Sequence, residues 1–134
     1  IKDVVDEMQE AGEKIGVLGI TSFRPLPLEE IRTALNGVKR VIVLEKCFAV
    51  GVGGIVATNV RMALDGTGQQ VLTVIAGLGG RAITKDSLTR TIRDAISDKL
   101  GAMTFMDLDW LNKEADNYVC NTCGYIMWFL PTAG

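Results

Sequence analysis

The chain has 134 residues, 48% apolar and 22% charged, with a net charge of −2, a pI near 5.1 and no histidine. That length allows one domain with a real core, and the mild acidity excludes a nucleic-acid surface or a polybasic membrane patch. Three cysteines, an odd number without a repeated spacing, exclude a disulfide scaffold and point to a reducing compartment. With no signal peptide or transmembrane run, and Ile1 in place of a methionine, the expectation is a cytoplasmic protein and a fragment of a longer one.

In chain order, Val4, Val5, Met8 and Ala11 recur at helical spacing, and Gly12 fits a helix stop. "KIGVLGITSF" (14–23) reads as a buried strand carrying Ile15, Val17, Leu18 and Ile20, ended by Pro25 and Pro27. "LEEIRTAL" (28–35) reads as a helix, with acids in its first turn, Leu28, Ile31 and Leu35 inward, and Gly37 past its end.

"RVIVLEK" (40–46) is short and almost wholly apolar, as a strand covered on both faces would be. The glycine-rich "CFAVGVGG" leads to "IVATNVRMALD" (55–65), a helix with Val56, Val60, Ala63 and Leu64 on one face. "QQVLTVIAGLG" (69–79) is the next strand, and Thr84 caps a helix that turns Leu88, Ile92, Ala95 and Ile96 inward. Gly101 closes that helix, and "MTFMDLDWL" (103–111) is a fourth strand. Strands alternating with helices imply βαβ crossovers. The expected fold is α/β, three-layered, with a mostly parallel sheet and helices on both faces. It occupies residues 1–111, and 112–134 form a tail.

Few residues offer chemistry. "GVGG" (51–54) lies between strand and helix, where backbone N–H groups can hold an anion, but it lacks the dinucleotide G-x-G-x-x-G pattern and a P-loop lysine. It reads as a tight turn that lets the helix approach the sheet. "GLGGR" (77–81) falls at a strand's carboxyl end, the edge where open α/β sheets bind ligands. Arg81 there can pair with a phosphate or carboxylate, or equally fix a loop or a subunit contact. Glu45 beside Lys46 reads as a solvated pair without a catalytic partner, and Cys47 as a small packed residue. No catalytic residues and no cofactor-binding residues are assigned.

The tail contains "YVCNTCGY" (118–125), whose C-x-x-C turn can chelate a soft metal through Cys120 and Cys123. A closed tetrahedral site needs four ligands. The remaining cysteine, Cys47, lies more than seventy positions upstream.

The order of the segments resembles a known family. "RPLP" (24–27) before a helix, Glu45-Lys46 at a strand end, Gly51 to Gly54 opening a helix, and Gly77 to Arg81 at the next strand end follow a shared pattern. It is that of the transketolase C-terminal-like domain of 2-oxoacid:ferredoxin oxidoreductases, and it covers roughly residues 14–111. Pyruvate is the commonest substrate of that family. The resemblance implies a whole enzyme that uses thiamine diphosphate, magnesium, iron–sulfur clusters and coenzyme A, and passes electrons to ferredoxin. It also implies that this domain binds no cofactor tightly and packs against other domains or subunits in an oligomer. No G-D-G…N thiamine–magnesium motif occurs here, in keeping with that division. A transketolase-type or deoxyxylulose-phosphate-type enzyme shares the fold but lacks "GLGGR".

"YVCNTCGYI" resembles instead the first metal knuckle of rubredoxin, which implies iron or zinc on Cys120 and Cys123 and a redox accessory role. No second knuckle follows in "MWFLPTAG". A longer protein, a dimer sharing one metal, or no metal all remain open. A thioredoxin-like site would need a helix after the pair, and no helical pattern follows.

Overall fold

The computed structural model describes residues 1–107, 116–119 and 126–129. Its elements in chain order are α1 (Lys2–Glu10), α2 (Leu28–Ala34), β1 (Arg40–Glu45), α3 (Ile55–Ala63), β2 (Gln70–Ile75), α4 (Lys85–Ile96) and β3 (Met103–Phe105). A hairpin of β4 (Asp116–Val119) and β5 (Ile126–Phe129) follows. β1, β2 and β3 form one parallel sheet in that order, with Val43 opposite Thr73 and Thr73 opposite Met103. Each crossover is a helix, as parallel neighbours require.

Strand alternation sorts the core into two faces. Ile42 and Leu44 of β1 pack with Val4 and Met8 of α1 and Leu88 and Ile92 of α4. Val41 and Val43 pack on the other side with Ala57, Val60 and Leu64 around α3, and with Leu35 after α2. The sheet therefore has helices on both faces, and the α/β expectation holds. Thr84 caps α4 as the sequence predicts, its Oγ1 accepting from the Ser87 N–H at 3.1 Å. Ile96, expected inward, is exposed, and Ser87 and Thr91 are buried on that helix instead.

Arginines close two helix ends. Arg32 Nε donates to the Ala63 carbonyl at 2.9 Å, at the end of α3. Arg40 donates to the Ala95 carbonyl near the end of α4, and its other guanidinium nitrogen pairs with Asp98 at 2.6 Å. Both positions place positive charge at the negative pole of a helix.

One expected strand is absent. Residues 14–23 run without a strand; Val17 and Leu18 are exposed, while Ile15 packs in the α1/α4 cluster and Ile20 in the α2/α3 cluster. The apolar run half-buries Ile15 and Ile20 on opposite faces and pairs with no strand. The strand expected over 103–111 is described as far as Phe105 and the turn to Asp107; 108–111 lie outside the described residues.

Candidate functional site

Parallel strands bring their carboxyl ends to one edge, so Glu45, Ile75 and Phe105 and the loops after them share it. The sequence placed Glu45, Lys46, Cys47, Gly51–Gly54 and Gly77–Arg81 there, and the structure gathers them.

Helix α3 begins at Ile55 after Gly54, with no capping side chain and no acid in its first turn. Its first amides need acceptors from elsewhere. Glu45 supplies them: one carboxylate oxygen accepts from the Val56 N–H at 2.9 Å and the other from the Ala57 N–H at 2.9 Å. Glu45 is 7% exposed, and its carboxylate sits at the positive pole of the helix. Glu45 is thus not part of a solvated pair. It fills, from within the chain, the anion position that the glycine turn and helix create.

Gly54 makes that arrangement fit. A Cβ there would overlap the Glu45 carboxylate, lying 2.8 Å from its Cδ and 2.9 Å from Thr73 Cγ2. The reading of "GVGG" as a turn that lets helix and sheet approach is borne out at this glycine. Its neighbours form a closed tip: Ala49 and Gly53 exchange backbone hydrogen bonds of 2.9 and 2.8 Å, with Gly51 and Gly53 at φ 81° and 89°.

The second loop is also committed to structure. Gly77 lies under the Lys46 stem, where a Cβ would be 3.1 Å from Lys46 Cε. Arg81 Nη1 donates to the Asp107 carbonyl at 3.0 Å, tying this loop to the turn after β3. Arg90 pairs with the Asp107 carboxylate at 3.3 Å. Of the two roles open to Arg81, the structure displays loop fixation. Cys47 is exposed rather than packed, because it leaves β1 just past the point where the sheet's faces are covered.

The sequence reading missed Gly54 as the seat of a carboxylate, and also Thr73. Thr73 is buried in β2, and its Oγ1 accepts from Arg61 Nη2 of α3 at 2.7 Å. The available signal for Gly54 and Glu45 was a helix start lacking any Ser, Thr, Asp or Asn, just after a strand that ends in Glu.

Among the described residues no cluster of three His, Cys, Asp or Glu side chains could hold a metal. Among the described residues, the buried carboxylate at this edge, Glu45, is spent on the amides of α3. Two clefts, lined by Arg61, Asp65 and Gln69 and by Arg32, Asn36 and Lys39, lie near the start of β2 and after α2, away from this edge. Cys120 and Cys123 lie outside the described residues. The described strands on either side of them, β4 and β5, pair antiparallel with Val119 opposite Ile126.

The family described as pyruvate:ferredoxin oxidoreductase core domain II matches residues 1–88. The pyruvate synthase subunit PorA of Thermotoga maritima is 37% identical over 102 residues, which are 75% of this chain and 26% of that protein. The PorA subunit of Methanosarcina barkeri is 36% identical over 115 residues, 81% of this chain and 29% of that protein. The ketoisovalerate oxidoreductase subunit VorA of Pyrococcus horikoshii is 37% identical over 86 residues, 63% and 22%. The chain therefore spans about a quarter of the length of these curated relatives.

Proposed function

The chain belongs to the pyruvate:ferredoxin oxidoreductase core domain II family, and from that premise we propose that it is a non-catalytic domain of a thiamine-diphosphate-dependent 2-oxoacid:ferredoxin oxidoreductase. Its role is to pack against the thiamine-binding domains and to contribute to the subunit interface of a cytoplasmic oligomer. Pyruvate is the substrate of the whole enzyme and ferredoxin its electron acceptor. Magnesium, iron–sulfur clusters and coenzyme A are handled by other domains. The transketolase C-terminal-like assignment belongs to the same proposal, as does the division into a domain over 1–111 and a tail over 112–134. No helix among the described residues is long and apolar enough to cross a membrane.

One observation carries the reading. The buried carboxylate at the ligand-binding edge, Glu45, is hydrogen-bonded to two amides of α3 and so serves the fold. Calorimetric titration of the purified chain with thiamine diphosphate and magnesium is expected to give no saturable heat. Saturable binding with a micromolar constant contradicts the proposal.

A second reading concerns the tail. The pairing of Val119 with Ile126 brackets Cys120 and Cys123 in the sequence, which favours a rubredoxin-like knuckle holding iron or zinc. Two thiolates fill half of a tetrahedral site, so bound metal is expected at about half an equivalent per chain, in a dimer. Cys120→Ser should abolish metal and metal-linked dimer together, and Cys47→Ser neither. Elemental analysis with light scattering checks this. A full equivalent in a monomer, or no metal under anaerobic reducing conditions, removes the shared-site reading.

A further inference from the structure

Beyond β3 the sheet face that α3 covers elsewhere is covered by a loop. Phe48 meets Phe105 edge to face, with ring centroids 5.1 Å apart and planes at 71°. A Cβ on Gly53 would lie 3.7 Å from Met103 Sδ. The loop thus lies across the β3 end of the sheet and closes at its tip through the paired Ala49 and Gly53. That closure holds Val50 and Val52 outward, 67% and 63% exposed, and Met103 beside them is 43% exposed.

The chemistry of this surface is uniform. No Asp, Glu, Lys or Arg occurs between Lys46 and Arg61, or between Lys99 and Asp107. Both segments that build the patch are therefore free of charge in a chain that is 22% charged. Interface cores show this depletion of charge, and exposed apolar patches mark association sites. A tip whose backbone is already closed also loses little conformational entropy on docking.

We infer that the patch formed by Val50, Val52, Met103 and the Phe48–Phe105 pair is where the remainder of the PorA-type subunit seats. The inference deepens the proposed function and rests on it. The occupant follows from length, because this chain matches about a quarter of each PorA relative and the rest of such a subunit must contact it somewhere.

Methionine oxidation in the assembled oxidoreductase tests this with an internal reference. Met62, on α3, is 56% exposed and Met103 is 43% exposed, so the two thioethers should react alike if neither is covered. The enzyme is isolated through a tag on this chain, the remainder of its PorA-type subunit is confirmed by sequence, and it is pulsed with hydroxyl radicals. The expected result is that Met103 oxidises about an order of magnitude more slowly than Met62. Equal rates in the assembled enzyme overturn the docking surface and leave the proposed function standing. If no PorA-type remainder accompanies the chain, the function itself fails and the patch loses its occupant. As a second measurement, Val50→Asp/Val52→Asp should abolish the protection of Met103 relative to Met62, while Val50→Ile/Val52→Ile retains it. Loss in both, or in neither, overturns the proposal.

Discussion

A missing methyl group decides how α3 meets the sheet. Gly54 has ordinary extended backbone angles, φ −75° and ψ 128°, so the reason for glycine there is space alone. Gly54→Ala should therefore destabilise the chain by about 1–3 kcal/mol through overpacking against Glu45 and Thr73. Its partner Glu45 offers two acceptors to two amides. Glu45→Gln keeps the shape but turns one acceptor into a donor facing an N–H, at a cost of about 1–3 kcal/mol. Urea denaturation of both single variants checks these values. A Gly54→Ala variant as stable as the parent would mean that α3 stands further from the sheet than described.

At the scale of elements, β1, α3 and α4 were legible in the sequence because their patterns admit one solution. The four-residue apolar run at 41–44, flanked by helical patterns, reads as a covered strand, and Val43 is indeed buried. Val43→Asp would bury an unpaired carboxylate, and a loss of several kcal/mol is expected in thermal unfolding. An unchanged melting temperature would contradict the strand. Residues 14–23 were illegible for the complementary reason. Apolar composition reports the tendency to be buried, not the presence of a ladder partner, and Ile15 and Ile20 are partly buried against the two clusters without one. The role of Glu45 was hidden similarly: its partners are backbone amides, which every residue carries, so no side-chain motif announces them.

The tie between α1 and α4 gives a pH dependence. Lys85 Nζ lies 2.7 Å from Glu7 and 3.8 Å from Asp3. The Glu7 hydrogen bond, then its charge, raises the Lys85 pKa above its ordinary 10.5; burial opposes the shift slightly and Asp3 adds to it. A raised folded-state pKa means the contribution is complete below 10.5 and disappears as pH rises through the folded value. The stability difference between the parent and Lys85→Met should accordingly vanish in strong alkali. A difference that persists undiminished there contradicts the pairing.

On the scale of the whole molecule, described side chains at the carboxyl edge of the sheet are held in structural contacts. Glu45 caps α3, Arg81 ties one loop to the turn after β3, and Lys46 lies over Gly77. This arrangement supports the proposal that the domain supplies shape and surface to an enzyme whose chemistry lies on other domains. The most direct test is pyruvate turnover by the assembled oxidoreductase carrying Glu45→Gln, measured together with its melting temperature. The account predicts a lower melting temperature and a kcat within about twofold of the parent. Loss of a general acid or base costs about a hundredfold or more in rate. A loss of that size with an unchanged melting temperature would place Glu45 in the reaction and contradict the account.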